Sequence, residues 1–282
     1  MISSLPPPVL GSLCLLAFVL NTIFWCVPFY ALVVAKVAVP HRGWRRRCTG
    51  ILLSIAESWS AVNDRGLWAT QKTRWEVSGA DGLSRKAWYL VSCNHRSWVD
   101  IVVLQHVFNR KIPFPRFFLK KNLIWVPLLG GAWWALEYPF MKRHSKAFLE
   151  QNPERRGEDF ETTLKACERY RAAPATILNF PEGTRFTPEK HRAQDSPYRN
   201  LLRPKAGGMA SAIEGMGDRV KSLLDVTIVY SRDTVRLWDL LSGRVRKIIV
   251  DVRSVEIPEE FRRGAYASAP EFRRRFQEWL GA

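Results

Sequence analysis

Cysteine is scarce in this 282-residue chain and never paired: Cys14, Cys26, Cys48, Cys93 and Cys167 stand apart, with no C-x-x-C. An odd, scattered set excludes a disulfide framework and a cysteine zinc site, and it fits a reducing compartment. Acidic residues are also few, 26 Asp plus Glu against 43 Lys plus Arg, which leaves a formal net charge of +17. Charge of either sign is missing from the first 35 residues. All charged side chains fall in the remaining 247, about 28% of them, an ordinary globular density. This division excludes a polytopic membrane protein. A content of 47% hydrophobic and 12% aromatic residues excludes a disordered basic tail. Internal repeats and low-complexity segments are absent. So are the G-x-S-x-G elbow, the G-x-x-x-x-G-K-S/T phosphate loop and the H-E-x-x-H zinc helix.

What is present begins with the charge-free stretch at 9–35, interrupted only by Asn21 and Pro28. As a helix it exceeds the roughly 20 residues that a hydrocarbon core requires. Lys36, Arg42, Arg45, Arg46 and Arg47 follow it and no basic residue precedes it, so the positive-inside rule puts the rest of the chain in the cytoplasm. A cleaved signal peptide would show the opposite charge order. Pro28 leaves a one-leaflet hairpin open beside a spanning helix. Residues 51–62 read as an interfacial or domain-capping helix, with Trp59, Trp68 and Trp75 able to sit at headgroup depth or in the core. The expected division is an anchor at 1–62 and a domain at 63–282. Twelve Trp beside excess Lys and Arg suit an anionic membrane surface. Nucleic-acid binding is the plainer reading of a basic chain, but no recognition motif for it is present.

Beyond residue 75, β-type runs at 88–92, 176–180, 226–230 and 247–255 alternate with helical patterns at 99–108, 159–170 and 208–215. The expected fold is α/β, a mixed sheet flanked by helices, preceded by the N-terminal membrane helix or hairpin. A polar loop at 187–204 is a candidate mobile flap. Near the C-terminus, Ser268 and Glu271 form a capping-box pattern ahead of a helix bearing Phe272, Phe276, Trp279 and Leu280.

Two motifs carry chemistry. Asn94-His95-Arg96-Ser97-Trp98-Val99-Asp100 directly follows an expected strand, where α/β sheets place ligands. With His95 in the turn and Ser97 capping the helix, Asp100 falls in the first turn and can face the imidazole. It would hold one ring nitrogen and leave the other as a base. Ser97 and Asp100 also fit a plain capping box, in which Asp100 only satisfies backbone donors. Phe180-Pro181-Glu182-Gly183-Thr184-Arg185 follows another strand and sets a carboxylate and a guanidinium on a tight turn. Arg binds phosphate in bidentate fashion, and Gly admits close backbone approach. Cys93, two residues before His95, offers a thiol nucleophile as a rival, with a small buried residue as its plainer reading.

Together, N-H-x4-D and F-P-E-G-T-R resemble the glycerolipid acyltransferase family that includes the 1-acylglycerol-3-phosphate acyltransferases. The likeness runs from about residue 60 to the end. It takes in Lys120, Leu123, Pro127 and Gly130, and Phe140-Met-Lys-Arg143 where the family has F-I-x-R. The stretches around Trp133-Trp134, Pro204-Lys205 and Asp225–Tyr230 are more similar to the branch of lysocardiolipin acyltransferases and bacterial membrane homologues. Thr227 stands where the fourth family motif carries proline. The resemblance implies transfer of a fatty acyl group from acyl-CoA or acyl carrier protein to the free hydroxyl of a lysophospholipid, foremost 1-acylglycerol-3-phosphate. Another lysophospholipid as acceptor, or a silent membrane scaffold, are the alternatives. It implies His95 as base and Asp100 as its orienting partner. Lys120, Arg143 and Arg185 bind the acceptor phosphate, with Lys121 an alternative to Lys120. Glu182, Gly183 and Thr184 complete the substrate site. No metal and no cofactor beyond the thioester co-substrate are expected. The implied location is the bacterial inner membrane, with the catalytic domain on the cytoplasmic side.

Overall fold

The computed structural model describes residues 4–141, 150–152, 157–264 and 266–281. It opens with two long helices, α1 (Pro7–Ala38) and α2 (Arg42–Thr70). Then follow β1 (Arg74–Ser78), β2 (Tyr89–Cys93), α3 (Val99–Phe108), β3 (Pro115–Phe117), β4 (Leu119–Lys120), α4 (Leu129–Ala135) and β5 (Phe140–Met141). The second half holds α5 (Glu158–Glu168), β6 (Thr176–Asn179), α6 (Pro188–Ala193), α7 (Gly207–Met216), β7 (Ser222–Tyr230) and α8 (Leu237–Leu241). It closes with β8 (Lys247–Glu256), α9 (Glu259–Arg262) and α10 (Pro270–Gly281). The expected mixed sheet is present, six strands in the order β1-β8-β7-β2-β6-β3. All neighbours are parallel except β7 and β8, which run antiparallel. A separate two-stranded sheet pairs β4 with β5.

Strand β2 is central and buried on both faces, which explains its mostly apolar run, interrupted only by Ser92. Alternation sends Tyr89, Val91 and Cys93 to one face and Leu90 to the other. On the first face α3 lays down Val99, Val103 and Val107, one stripe at i, i+4, i+8, against Val91, Leu224 and Val226. On the second face α7 packs Met209, Ile213 and Met216 against Leu90, Ile177 and Phe276 of α10. Gly215 lets α7 approach α5 closely, since a Cβ there would lie 2.6 Å from Cys167 Cβ.

Helices α1 and α2 are antiparallel and stitched by polar groups within an apolar seam. The Asn21 amide donates to Asn63 Oδ1 (2.8 Å) and the Trp59 carbonyl (3.0 Å), and Trp59 Nε1 donates to Thr22 Oγ1 (3.1 Å). Both ends of α1 dock on the domain. Leu10 and Cys14 join the core beside Leu240 and Leu241 of α8. At the other end Phe29 packs with Leu52, Phe114 and Leu136, and Lys36 Nζ donates to the Ala135 carbonyl (3.0 Å). Between these ends Leu16, Leu20, Ile23, Phe24, Val27 and Val34 are exposed. Pro28 lies inside α1 without ending it. Helix α2 runs unbroken through residue 62, where the sequence divides the chain, and ends at Thr70. Trp68 is exposed, whereas Trp59 is turned to α1 and Trp75 packs at a tilt against His106.

The polar segment 187–204 contains α6, capped by Thr187 Oγ1, which accepts from Lys190 N (3.3 Å). It is tied further by Arg203 to the carbonyls of Gln194 and Asp195, and by Tyr198 to the end of α10.

Candidate active site

The site forms where β2 and β6 end side by side. As β2 stops at Cys93, the Asn94 side chain takes the next rung of the ladder. Its oxygen accepts from Ile228 N (2.8 Å) and its amide donates to Ile228 O (3.0 Å). The chain then turns through His95 and Arg96, and Ser97 Oγ accepts from Val99 N (3.1 Å) as α3 begins. Asp100, in the first turn, is fully buried. Its Oδ2 accepts from Arg96 N (2.7 Å), Ser97 N (2.8 Å) and His95 Nδ1 (2.8 Å). Both readings of the spacing therefore hold at once: Asp100 satisfies backbone donors and also binds the imidazole. A carboxylate acceptor at Nδ1 fixes the proton there and leaves the Nε2 lone pair free. The His95 ring stacks on Phe180 at 4.0 Å and 20°.

The second motif supports the first. The Gly183 amide donates to the Phe180 carbonyl (2.9 Å) across a tight turn, with Gly183 at φ +69°, a conformation costly for any residue with a Cβ. Glu182, buried in this turn, accepts from His95 N on Oε1 (2.8 Å) and from Leu202 N on Oε2 (2.8 Å). Phe186 N donates to the His95 carbonyl (2.7 Å). The turn thus grips His95 by its amide, its carbonyl and its ring. Burial raises the Glu182 carboxyl above the ordinary range, and its two backbone donors oppose that rise.

Cations surround the turn. Arg185 is exposed with its guanidinium 5.8 Å from the Trp98 ring centre, and Arg96 lies 4.9 Å from that of Phe186. Lys190 Nζ donates to Thr184 Oγ1 (2.8 Å) and the Arg185 carbonyl (3.0 Å). Lys205, whose amide donates to the Pro181 carbonyl (2.7 Å), lays its side chain over Gly183. Lys120 is exposed at the end of β4, paired in register with Met141 of β5. Arg143 lies outside the described residues. The structure therefore brings His95, Asp100, Glu182, Gly183, Thr184 and Arg185 into one locality, and leaves Lys120 on the small second sheet. Among the described residues no cluster of three His, Cys, Asp or Glu side chains is arranged to hold a metal.

Lys190 escapes sequence reasoning, and Tyr230 and Lys205 are marked there only as parts of family-like stretches, with no role at the site. Tyr230 donates to Asp100 Oδ1 (2.6 Å) from 130 residues away. The Thr187-Pro188 cap and N1 pair was the available signal for the helix that delivers Lys190. Cys93 is buried and donates to the Asn94 carbonyl (3.2 Å). Burial, with Asp100, Asp225 and Glu182 nearby, pushes its thiol well above the ordinary range, which removes it as a nucleophile.

Beside the site lies an apolar cavity of about 620 Å³ between α1–α2 and α3–α4. Trp98, Ile101, Val102 and Gln105 line it along α3, facing Phe18, Phe29, Phe114 and Trp133. Trp98, three residues after His95, is part of this lining.

Residues 74–231, more than half of the chain, match the family described as Acyltransferase, and the chain belongs to it. Among curated relatives, it is 30% identical over 149 residues to 1-acyl-sn-glycerol-3-phosphate acyltransferase 2 of Brassica napus, covering 49% of this chain and 36% of that protein. It is 29% identical over 186 residues to 1-acyl-sn-glycerol-3-phosphate acyltransferase 3 of Arabidopsis thaliana, covering 60% and 46%. To the human gamma form it is 32% identical over 119 residues, covering 39% and 29%. The chain thus spans less than half the length of these relatives. In fold it is similar to the crystal structure of the 1-acyl-sn-glycerophosphate (LPA) acyltransferase PlsC from Thermotoga maritima. That likeness has a TM-score of 0.57 at 16% identity, covering 97% of this chain and 94% of the other.

Proposed function

We propose that the chain is a membrane-bound O-acyltransferase that moves a fatty acyl group from acyl-CoA or acyl carrier protein to the free hydroxyl of 1-acylglycerol-3-phosphate, giving phosphatidic acid. The observation that carries this reading is the buried Asp100 on His95 Nδ1, which leaves Nε2 free, in a loop whose Trp98 lines an apolar cavity. His95 Nε2 takes the acceptor hydroxyl proton as that oxygen attacks the thioester carbonyl carbon. The tetrahedral intermediate collapses, the C–S bond breaks, and the imidazolium returns the proton to the departing thiolate. Asp100 stabilises the imidazolium and holds the ring in line. Arg185, with Lys120 and Arg143, binds the acceptor phosphate, and Lys190 keeps the Thr184-Arg185 backbone in shape. The cavity takes an acyl chain, for which its apolar lining is suited. The step balances with the thioester as co-substrate and calls on no metal or cofactor.

Membrane attachment is supported by α1, which is long and apolar enough to cross a bilayer. Because both its ends dock on the domain, a helix about 48 Å long is better accommodated lying in one leaflet, its exposed face in the hydrocarbon. Trp125, Leu128 and Trp134, exposed beside the cavity, extend that face, and Arg42, Arg45, Arg46 and Arg47 meet anionic headgroups. In a bacterial cell this surface is the inner membrane entered from the cytoplasmic side. The likeness of the stretches around Trp133-Trp134, Pro204-Lys205 and Asp225–Tyr230 to lysocardiolipin enzymes favours one further reading, the same chemistry on another lysophospholipid. The test is product analysis across lysophospholipids differing in head group, with labelled acyl-CoA and then acyl carrier protein as donors. Preferred product from lysophosphatidic acid is expected. Preferred product from another lysolipid would move the function to remodelling.

A further inference from the structure

We propose that Tyr230 is a positioning residue for acyl transfer, acting through Asp100 from the end of β7, in a strand register that Asn94 sets. The inference rests on the reading of His95 as the base.

Three of the four donors to Asp100 come from its own loop, Arg96 N, Ser97 N and His95 Nδ1, and all three meet Oδ2. Local spacing therefore accounts for one carboxylate oxygen only. The other, Oδ1, receives the Tyr230 hydroxyl at 2.6 Å, and among the described residues it receives nothing else. A fully buried carboxylate with one oxygen unmatched is costly, and the donors on Oδ2 restrain its plane from one side only. Tyr230 removes both problems by pinning the carboxylate plane, and so keeps Oδ2 aimed at Nδ1.

The delivery is built into the sheet. Parallel pairing of β2 with β7 ends at Cys93 and Val226. The Asn94 side chain extends it by one rung to Ile228, with both a donor and an acceptor bond. Residues 226, 228 and 230 share a strand face, the one packed on α3, so fixing Ile228 points Tyr230 at the first turn of α3. On its other side Tyr230 is paired with Ile248 of β8. Its phenol stays a donor, because burial and the adjacent carboxylate push it far above the ordinary range.

Tyr230→Phe removes the hydroxyl and keeps the ring. In the full chain, purified in detergent and assayed with oleoyl-CoA and lysophosphatidic acid, kcat should fall about tenfold, the worth of one hydrogen bond to a charged group. Both KM values should stay within about twofold, since no substrate contact is lost. In an Asp100→Ala background the same change should cost less than about twofold, because the side chain through which it acts is gone. A second readout does not need activity. With ¹⁵N-labelled histidine, His95 should show the Nδ1–H tautomer in the parent and a growing Nε2–H population in Tyr230→Phe, the signal assigned by its loss in His95→Ala. An unchanged kcat and tautomer would overturn the proposal. So would a loss confined to KM, or one of equal size in the Asp100→Ala background. A parent chain that transfers no acyl group, yet whose tautomer responds to Tyr230→Phe, would sink the acyl-transfer reading and keep the positioning role.

Discussion

Glu182→Ala would separate a structural tie from a substrate ligand. The carboxylate accepts two backbone amides, His95 N and Leu202 N, and both oxygens are occupied at 2.8 Å. Removing it orphans two largely buried N–H groups at about 1–3 kcal/mol each, so about 4 kcal/mol is lost. For a chain of this size, each kcal/mol lowers Tm by roughly 2–4 °C, which predicts a fall of about 8–16 °C. Glu182→Gln keeps one acceptor and should cost about half as much. Because the same bond positions His95, kcat should fall by about 10²-fold in Glu182→Ala, with a smaller change in acceptor KM. The sign of the pH effect follows from burial, which raises the folded carboxyl above its unfolded value of 4.5. Stability from its protonation is fully present below 4.5 and is lost as pH rises through the folded value. The stability lead of the parent over Glu182→Gln should therefore narrow as pH rises from 4.5. Calorimetry and steady-state kinetics in one detergent test all of this. An unchanged Tm with a raised acceptor KM alone would refute the tie and make Glu182 a substrate ligand.

Gly183→Ala should lower stability by about 1–2 kcal/mol, because the residue sits at φ +69° and its new Cβ meets the Lys205 side chain at 3.3 Å; chemical denaturation would measure it. Lys190→Met should raise acceptor KM about tenfold with kcat nearly intact, as Thr184 and the Arg185 carbonyl lose their common donor; equal loss in both constants would contradict this. Cys93→Ala should leave kcat within about threefold, checked in the same assay, since the thiol is buried and protonated. Phe24→Glu with Val27→Glu on the exposed face of α1 should weaken vesicle binding by at least about 10²-fold in flotation, given roughly 1.5–3 kcal/mol for each side chain buried in lipid.

Helix α3 was legible to the residue because its apolar spacing is uninterrupted, and β2 because a strand buried on both faces reads as a mostly apolar run bounded by turn formers. The His95–Asp100 contact was legible because a first-turn carboxylate has little choice of direction. Tyr230 was not, since its role depends on parallel pairing between strands 130 residues apart, which no local pattern encodes. β1 was missed because a short edge strand with Arg74 and Glu76 in salt-bridging contact reads as solvated loop. The span 9–35 was legible as a membrane-type helix. That both its ends pack on the domain was not, because Leu10 and Phe29 look like any other apolar residue in such a run.

In the proposed reaction everything turns on His95, held by Asp100, as the base for acyl transfer. The most direct test of that role is single-turnover transfer of labelled acyl from acyl-CoA to lysophosphatidic acid by the purified chain, beside His95→Ala. Ester product is expected from the parent, and a rate slower by about 10²- to 10⁴-fold in the variant. Product formed at the parental rate by His95→Ala would contradict it.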